Sequence, residues 1–162
     1  MGGGRVLVVD DEPEIAQVLA ELLMLEGHTV VRCGSGAAAL AAAAAAVPDL
    51  VLLDVRMPGA EGLDGLRVAD ALALDARTRA VPVVLMTAAS PQERGAWGAA
   101  LAGRAERVLF KPFALGELLA TVAALVERRG PGVAALPGGR RAHAADPPRS
   151  SSRDTARTPP TR

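Results

Sequence analysis

Asp10, Asp11, Asp54, Thr87 and Lys111 are the residues of this chain whose types and placing suit chemistry. Each stands at the end of a short apolar run: Asp10-Asp11-Glu12 after Arg5–Val9, Asp54 after Leu50–Leu53, Thr87-Ala88 after Pro82–Met86, and Lys111-Pro112 after Arg107–Phe110. Taken singly, an Asp, Thr or Lys-Pro at such a place is a common cap or turn former. Taken together they are three carboxylates, a hydroxyl and an ammonium. Clustered carboxylates raise one another's pKa unless a cation neutralises them. An all-oxygen cluster suits Mg²⁺, which keeps several waters and takes one or two carboxylates. A lysine and a hydroxyl beside such a metal are suited to hold phosphoryl oxygens. One carboxylate is then free to act as a nucleophile and form an acyl phosphate. Asp54 stands alone after the most buried-looking run and is the candidate, while Asp10 and Asp11 form a pair suited to the metal. Lys111 is the only lysine among 18 basic residues, which singles out that position for an ammonium rather than a guanidinium.

The elements that must bring these residues together can be read from periodicity. Five Val- and Leu-rich runs, with Thr29–Cys33 as the second, show little alternation, as expected of parallel strands covered on both faces. Amphipathic stretches lie between them. Ile15, Val18, Leu19, Leu22 and Leu23 recur on one helical face between Pro13 and Gly27, and Leu115, Leu118, Leu119, Val122, Leu125 and Val126 do the same before Gly130-Pro131. Ser35 to Ala46, Leu63 to Leu74 and Gln92 to Leu101 are the remaining helices. Strict strand–helix alternation predicts an α/β fold with an open parallel sheet and right-handed crossovers. In such sheets ligands bind outside the carboxyl ends of the strands, where these side chains fall.

Composition bounds the rest. The 162 residues suffice for one domain, read as 4–129, and a tail, 130–162, rich in Arg, Pro and Ser and expected to be disordered. Residues 128–162 hold eight arginines against Asp146 and Asp154, a net of +6, and the preceding 127 residues carry the balancing −6. That tail has no aromatics for base stacking and its charges are scattered, so it reads as a solvated end rather than a nucleic-acid site. Cys33, the one cysteine, excludes an intrachain disulfide and reads as a small core residue. No signal peptide or membrane-length apolar segment stands out, and a cytoplasmic location is the expectation.

Four stretches carry a resemblance: Val8-Val9-Asp10-Asp11-Glu12, Pro48 to Gly59 around Asp54, Leu85-Met86-Thr87-Ala88, and Phe110-Lys111-Pro112-Phe113. Together they resemble the motifs of two-component response-regulator receivers, in a single-domain, chemotaxis-regulator-like form, over about residues 4–129. The resemblance implies a five-stranded parallel sheet in the order 2-1-3-4-5 with helices on both faces, the flavodoxin-like order. It implies that Asp54 accepts a phosphoryl group from a sensor histidine kinase or histidine phosphotransfer protein. Mg²⁺ would be held by Asp11, by Asp10 through water, by Asp54 and by the backbone carbonyl of Arg56. Lys111 would contact the phosphoryl group and pair with Asp54 beforehand, Thr87 would bind through its hydroxyl and Ala88 through its amide, and Lys111-Pro112 would be cis. The resemblance implies no enzyme beyond self-phosphorylation and dephosphorylation. The tail offers no further folded stretch for a DNA-binding effector, so output is expected to pass to a downstream protein or onward by phosphotransfer, with no direct DNA binding, no membrane, and a homodimer through the fourth-helix to fifth-helix face as one expectation.

The sequence departs from that pattern in places. Val108 stands three residues before Lys111, where the family carries its switching aromatic, and the chain has no tyrosine. Ala114 replaces a capping Asp or Ser before the last helix. Arg56 and Ala89 occupy positions that tune dephosphorylation in the family. Trp97 falls in the fourth helix and is the only tryptophan; His28 reads as structural and His143 lies in the tail. Two other functions stay open at this point. A receiver-like scaffold independent of phosphate is favoured by the missing aromatic and opposed by the complete acidic, Thr and Lys set. A phosphohydrolase of the haloacid-dehalogenase kind would also use Asp, Thr and Lys around Mg²⁺, but it places its nucleophile in an Asp-x-Asp on the first strand, where this chain has adjacent Asp10-Asp11.

Overall fold

Branched apolar runs pair as parallel strands when helices can cover both of their faces. The computed structural model describes residues 2–57, 65–90, 92–101 and 103–130. In chain order the elements are β1 (Arg5–Val9), α1 (Pro13–Leu25), β2 (Thr29–Cys33), α2 (Gly36–Ala45), β3 (Leu50–Asp54), α3 (Gly65–Leu74), β4 (Val83–Thr87), α4 (Arg94–Leu101), β5 (Arg107–Phe110) and α5 (Leu115–Arg129). The sheet runs β2-β1-β3-β4-β5, and every neighbouring pair is parallel.

Two apolar layers sandwich the sheet. Leu19 and Leu23 of α1 pack with Leu118, Val122 and Val126 of α5 against Val6, Val8, Leu50 and Leu52. On the other face Ala39 and Ala43 of α2, Val68 and Leu72 of α3 and Leu101 of α4 pack against Leu7, Val9, Leu53 and Leu85. The alanine-rich α2 presents small side chains, and Ser35 caps it by accepting from the Ala38 amide at 3.2 Å. Cys33 is buried as a core residue.

Some expectations shift. Only the inner strands are covered on both faces: every residue of β3 and β4 is buried. The edge strands β2 and β5 carry exposed or half-buried residues, because each is flanked on one side only. β4 begins at Val83 rather than Pro82, since proline has no N–H for the ladder. The Pro82 carbonyl still accepts from Val51 N at 3.0 Å. α4 begins at Arg94 rather than Gln92, with Gln92 and Glu93 forming the turn that leads into it. The expected start of α3 at Leu63, the side chain of Trp97, and the tail beyond Gly130 lie outside the described residues. Among the described residues, no helix is long and apolar enough to cross a membrane.

Candidate functional site

The carboxyl ends of β1, β3, β4 and β5 meet at one edge of the sheet. β1 delivers Asp10, 1% exposed, with Asp11 next to it, and β3 delivers Asp54, 4% exposed. Oxygens of Asp10, Asp11 and Asp54 all lie within 4.8 Å of one another. β5 delivers Lys111, whose Nζ stands 3.3 Å from Asp10 Oδ2 and 3.4 Å from Asp54 Oδ2. Thr87 closes β4, buried, and Ala88 follows it, exposed. The Lys111-Pro112 peptide is cis, as the resemblance implied.

Local backbone fixes the carboxylates. Asp10 Oδ1 accepts from Glu12 N at 3.0 Å, and Asp54 Oδ1 accepts from Arg56 N at 3.0 Å. Each is the same turn, an aspartate held by the amide two residues on. It leaves the second oxygen, Oδ2, of both residues directed at Lys111. Burial pushes the Asp54 carboxyl above its ordinary value; the Arg56 amide and Lys111 pull the other way, and neighbouring Asp10 adds to the rise. Burial works to lower the Lys111 pKa, but Asp54 and Asp10 together outweigh it and leave the ammonium more basic than usual. The site therefore holds a reluctant carboxylate and a firmly charged lysine.

Sequence reading placed all these side chains at one edge, and they do converge there. It missed two supports. Gly65, the first residue of α3, lies against the β3 end: its N–H donates to Val55 O at 3.2 Å. A Cβ on Gly65 would run into the Asp54 carbonyl oxygen, with Val55 Cα only 2.8 Å away. The second support is a capping box. Ser90 N donates to Glu93 Oε2 at 2.8 Å, and Glu93 N reaches back to Ser90 Oγ at 3.4 Å. Hydrogen bonding from Ser90, its amide first and then its side chain, holds the Glu93 carboxyl below its ordinary value. The Ser90-Pro91-Gln92-Glu93 spacing carried that signal in plain view. Arg94, the next residue, lays its guanidinium over the Phe110 ring, 5.0 Å from the centroid. Val108 packs against the α2–α3 layer, and Ala114 gives α5 no side-chain cap.

The family model of the response regulator receiver domain matches residues 6–123. The chain belongs to the response-regulator receiver family. It is 43% identical over 135 residues to the transcriptional regulatory protein TcrA of Mycobacterium tuberculosis, covering 81% of this chain and 49% of the relative. It is 39% identical over 124 residues to the DNA-binding response regulator MtrA of Mycolicibacterium smegmatis, covering 76% and 51%. The chemotaxis protein CheY4 of Vibrio cholerae superposes with a TM-score of 0.66 at 29% identity, over 76% of this chain and 99% of that one. The chain spans about half the length of the curated relatives it matches. These relatives overturn the expectation of no direct DNA binding, since one is named DNA-binding and others transcriptional. The expectation rested on the lack of a visible effector in the tail, and the receiver's own residues carry no information on what output it controls.

Proposed function

We propose that Asp54 is the phosphoacceptor of this receiver. Asp10, Asp11, Asp54 and the backbone carbonyl of Arg56 would hold Mg²⁺, and Lys111, Thr87 and the Ala88 amide would bind the phosphoryl oxygens. The observation that carries the reading is the convergence of three carboxylates within 4.8 Å beside one ammonium. Three negative charges against one positive leave the cluster at a net −2, which suits a divalent, oxygen-seeking cation. When bound, Mg²⁺ neutralises charge building up on the transferring phosphoryl group.

In the transfer itself an Asp54 carboxylate oxygen attacks phosphorus. The bond from phosphorus to the donor's imidazole nitrogen, or to the acyl oxygen of acetyl phosphate, breaks. Its electron pair leaves with the donor, and an acyl phosphate remains on Asp54. Lys111 turns from its two carboxylates to the new oxygens. In this reading the domain catalyses only its own phosphorylation and dephosphorylation, in the cytoplasm. Transcriptional output, which relatives' names state for them, is tested separately by mobility shift of DNA with phosphorylated and unphosphorylated protein.

Intact mass after incubation with acetyl phosphate, with and without Mg²⁺, tests the site. A single Mg²⁺-dependent adduct is expected on the wild type and none on Asp54→Asn. An adduct that survives the substitution sinks the assignment, and steady turnover of a small phosphate ester would revive the phosphohydrolase reading.

A further inference from the structure

The residues after α5 and the pole of the domain opposite Asp54 carry charges of opposite sign. A cavity of about 280 Å³ opens at that pole, between the α1–β2 turn, the glycines before β1 and the last turns of α5. Leu119, Ala123 and Val126 give it an apolar wall, and Glu26, Asp49 and Glu127 an acidic one. Asp49 is already committed to the Arg5 amide and to Arg129. Glu26 and Glu127 are exposed and, among the described residues, pair with no cation. Arg128 and Arg129, the basic residues of the last turn of α5, face Glu106 and Asp49 instead. Both α1 and α5 end here, so their carbonyl ends add to the negative potential. The volume falls short of the roughly 300–1,000 Å³ of small-molecule sites, yet it admits side chains of a peptide segment.

We propose that this cavity receives the chain's own residues 133–141. Gly130, the last described residue, lines the cavity. Its φ of 76 and ψ of 161 lie where essentially only glycine goes, and they turn the backbone off the helical path. Val133-Ala134-Ala135-Leu136 is the one run with branched apolar side chains in the 32 residues from 131 to 162. It begins three residues after Gly130, a span of at most about 10 Å, so it starts at the mouth of the cavity. Pro137-Gly138-Gly139 has the composition of a turn, and Arg140-Arg141, the only adjacent arginines in that stretch, come next. Apolar run, turn and arginine pair thus follow in the order that an apolar wall with an acidic rim requires. Val133 and Leu136 cover the wall, and Arg140 and Arg141 reach Glu26 and Glu127. Exposed ion pairs are weak and screened by salt, so the apolar run supplies the hold and the arginines the register. Weak contacts suffice, because a short flexible tether sets an effective concentration on the order of millimolar.

The test places a nitroxide on the full chain, through Ala142→Cys combined with Cys33→Ala, and reads backbone amide signals by NMR. Signals of Gly27, His28, Ala123 and Glu127 should lose most of their intensity. Those of Glu14 and Glu117, in the first turns of α1 and α5, should keep theirs. Arg140→Glu with Arg141→Glu, and separately Leu136→Ser, should restore most of what is lost at the pole. Glu26→Arg with Glu127→Arg should do the same, and joining that pair to the two tail reversals should bring the loss back. Unaffected signals at the pole overturn the proposal, and so does an equal loss in either tail variant, which would reduce the proximity to the tether alone. A loss that persists when the nitroxide sits on a separate, isotope-free copy overturns it too, because a neighbouring molecule's segment then fills the cavity. Should Cys33→Ala fail to fold, Cys33 is kept: at 6% exposure it leaves the added thiol as the one that reacts, which intact mass checks.

Discussion

Lys111 divides one ammonium between two carboxylates, 3.3 Å from Asp10 and 3.4 Å from Asp54, and so competes with any cation for the same oxygens. Lys111→Ala should lower stability without metal by about 1.5–3 kcal/mol, the usual worth of hydrogen bonds to charged groups. It should also tighten Mg²⁺ binding, because the resident cation is gone. Thermal midpoints across a Mg²⁺ titration read both effects, and a weaker Mg²⁺ response in the variant contradicts the competition. Asp54 gives a pH signature. Its folded pKa lies above the ordinary 3.8 because burial disfavours the charged form. Its contribution to stability is therefore greatest below that ordinary value and is lost as pH rises through the folded one. Asp54→Asn cannot ionise, so its thermal midpoint should exceed the wild type's near neutral pH, and the gap should close as pH falls toward the ordinary carboxylate range. The five side chains were legible in the sequence because each is the polar residue that ends an apolar run. The sharing of Lys111 was not, since it depends on side-chain positions brought together from residues 10, 54 and 111.

Among the elements, the helix starts were the hardest to read and are the easiest to test. Ala114 has an extended N-cap backbone, φ −71 and ψ 135, but no side-chain oxygen to offer α5. Ala114→Asp should therefore add about 0.5–2 kcal/mol, visible as a higher urea midpoint at unchanged slope. α3 makes the opposite demand at its start. Gly65→Ala sets a methyl against the Asp54–Val55 backbone and should cost about 1–3 kcal/mol. It should also slow phosphorylation by acetyl phosphate, because the displaced strand end carries Asp54, the proposed nucleophile. Unchanged stability and rate would show that α3 can slide away freely. Periodicity gave the existence and order of all ten elements, because parallel strands and amphipathic helices have different repeats. It could not give Gly65 its role, which depends on how closely a helix approaches a strand end, or foresee that β2 and β5 would lie half open at the sheet edges.

At the scale of the molecule, the charge pattern and the alternation of elements were enough to predict a single sheet with its chemistry at one edge. They were misleading about output, since the relatives that share this receiver include proteins named for DNA binding and transcription. That failure has a physical basis: the site chemistry is complete within the receiver, whatever it regulates. One contact at the other pole has a further consequence. The Asp49 carboxylate accepts from Arg5 N at 2.7 Å through one oxygen and faces Arg129 Nε at 3.7 Å through the other. The beginning of β1 and the end of α5 are thus clasped by a single side chain, and Gly4 is close enough that a Cβ there would press on Val126. Topologically the domain is almost a closed ring. A circular permutant with Gly4 and Arg129 joined by a short glycine linker, and the backbone cut between Ala46 and Val47, should fold with a native-like circular dichroism spectrum and cooperative urea unfolding. Failure to fold would mean that the clasp does not bring the ends within reach. The same closure leaves Gly130, the last described residue, beside Gly2, Gly3 and Gly4 at the pole opposite Asp54. A phosphoryl group carried on Asp54 would therefore lie the full length of a strand, about 16 Å for five residues, from the last turn of α5.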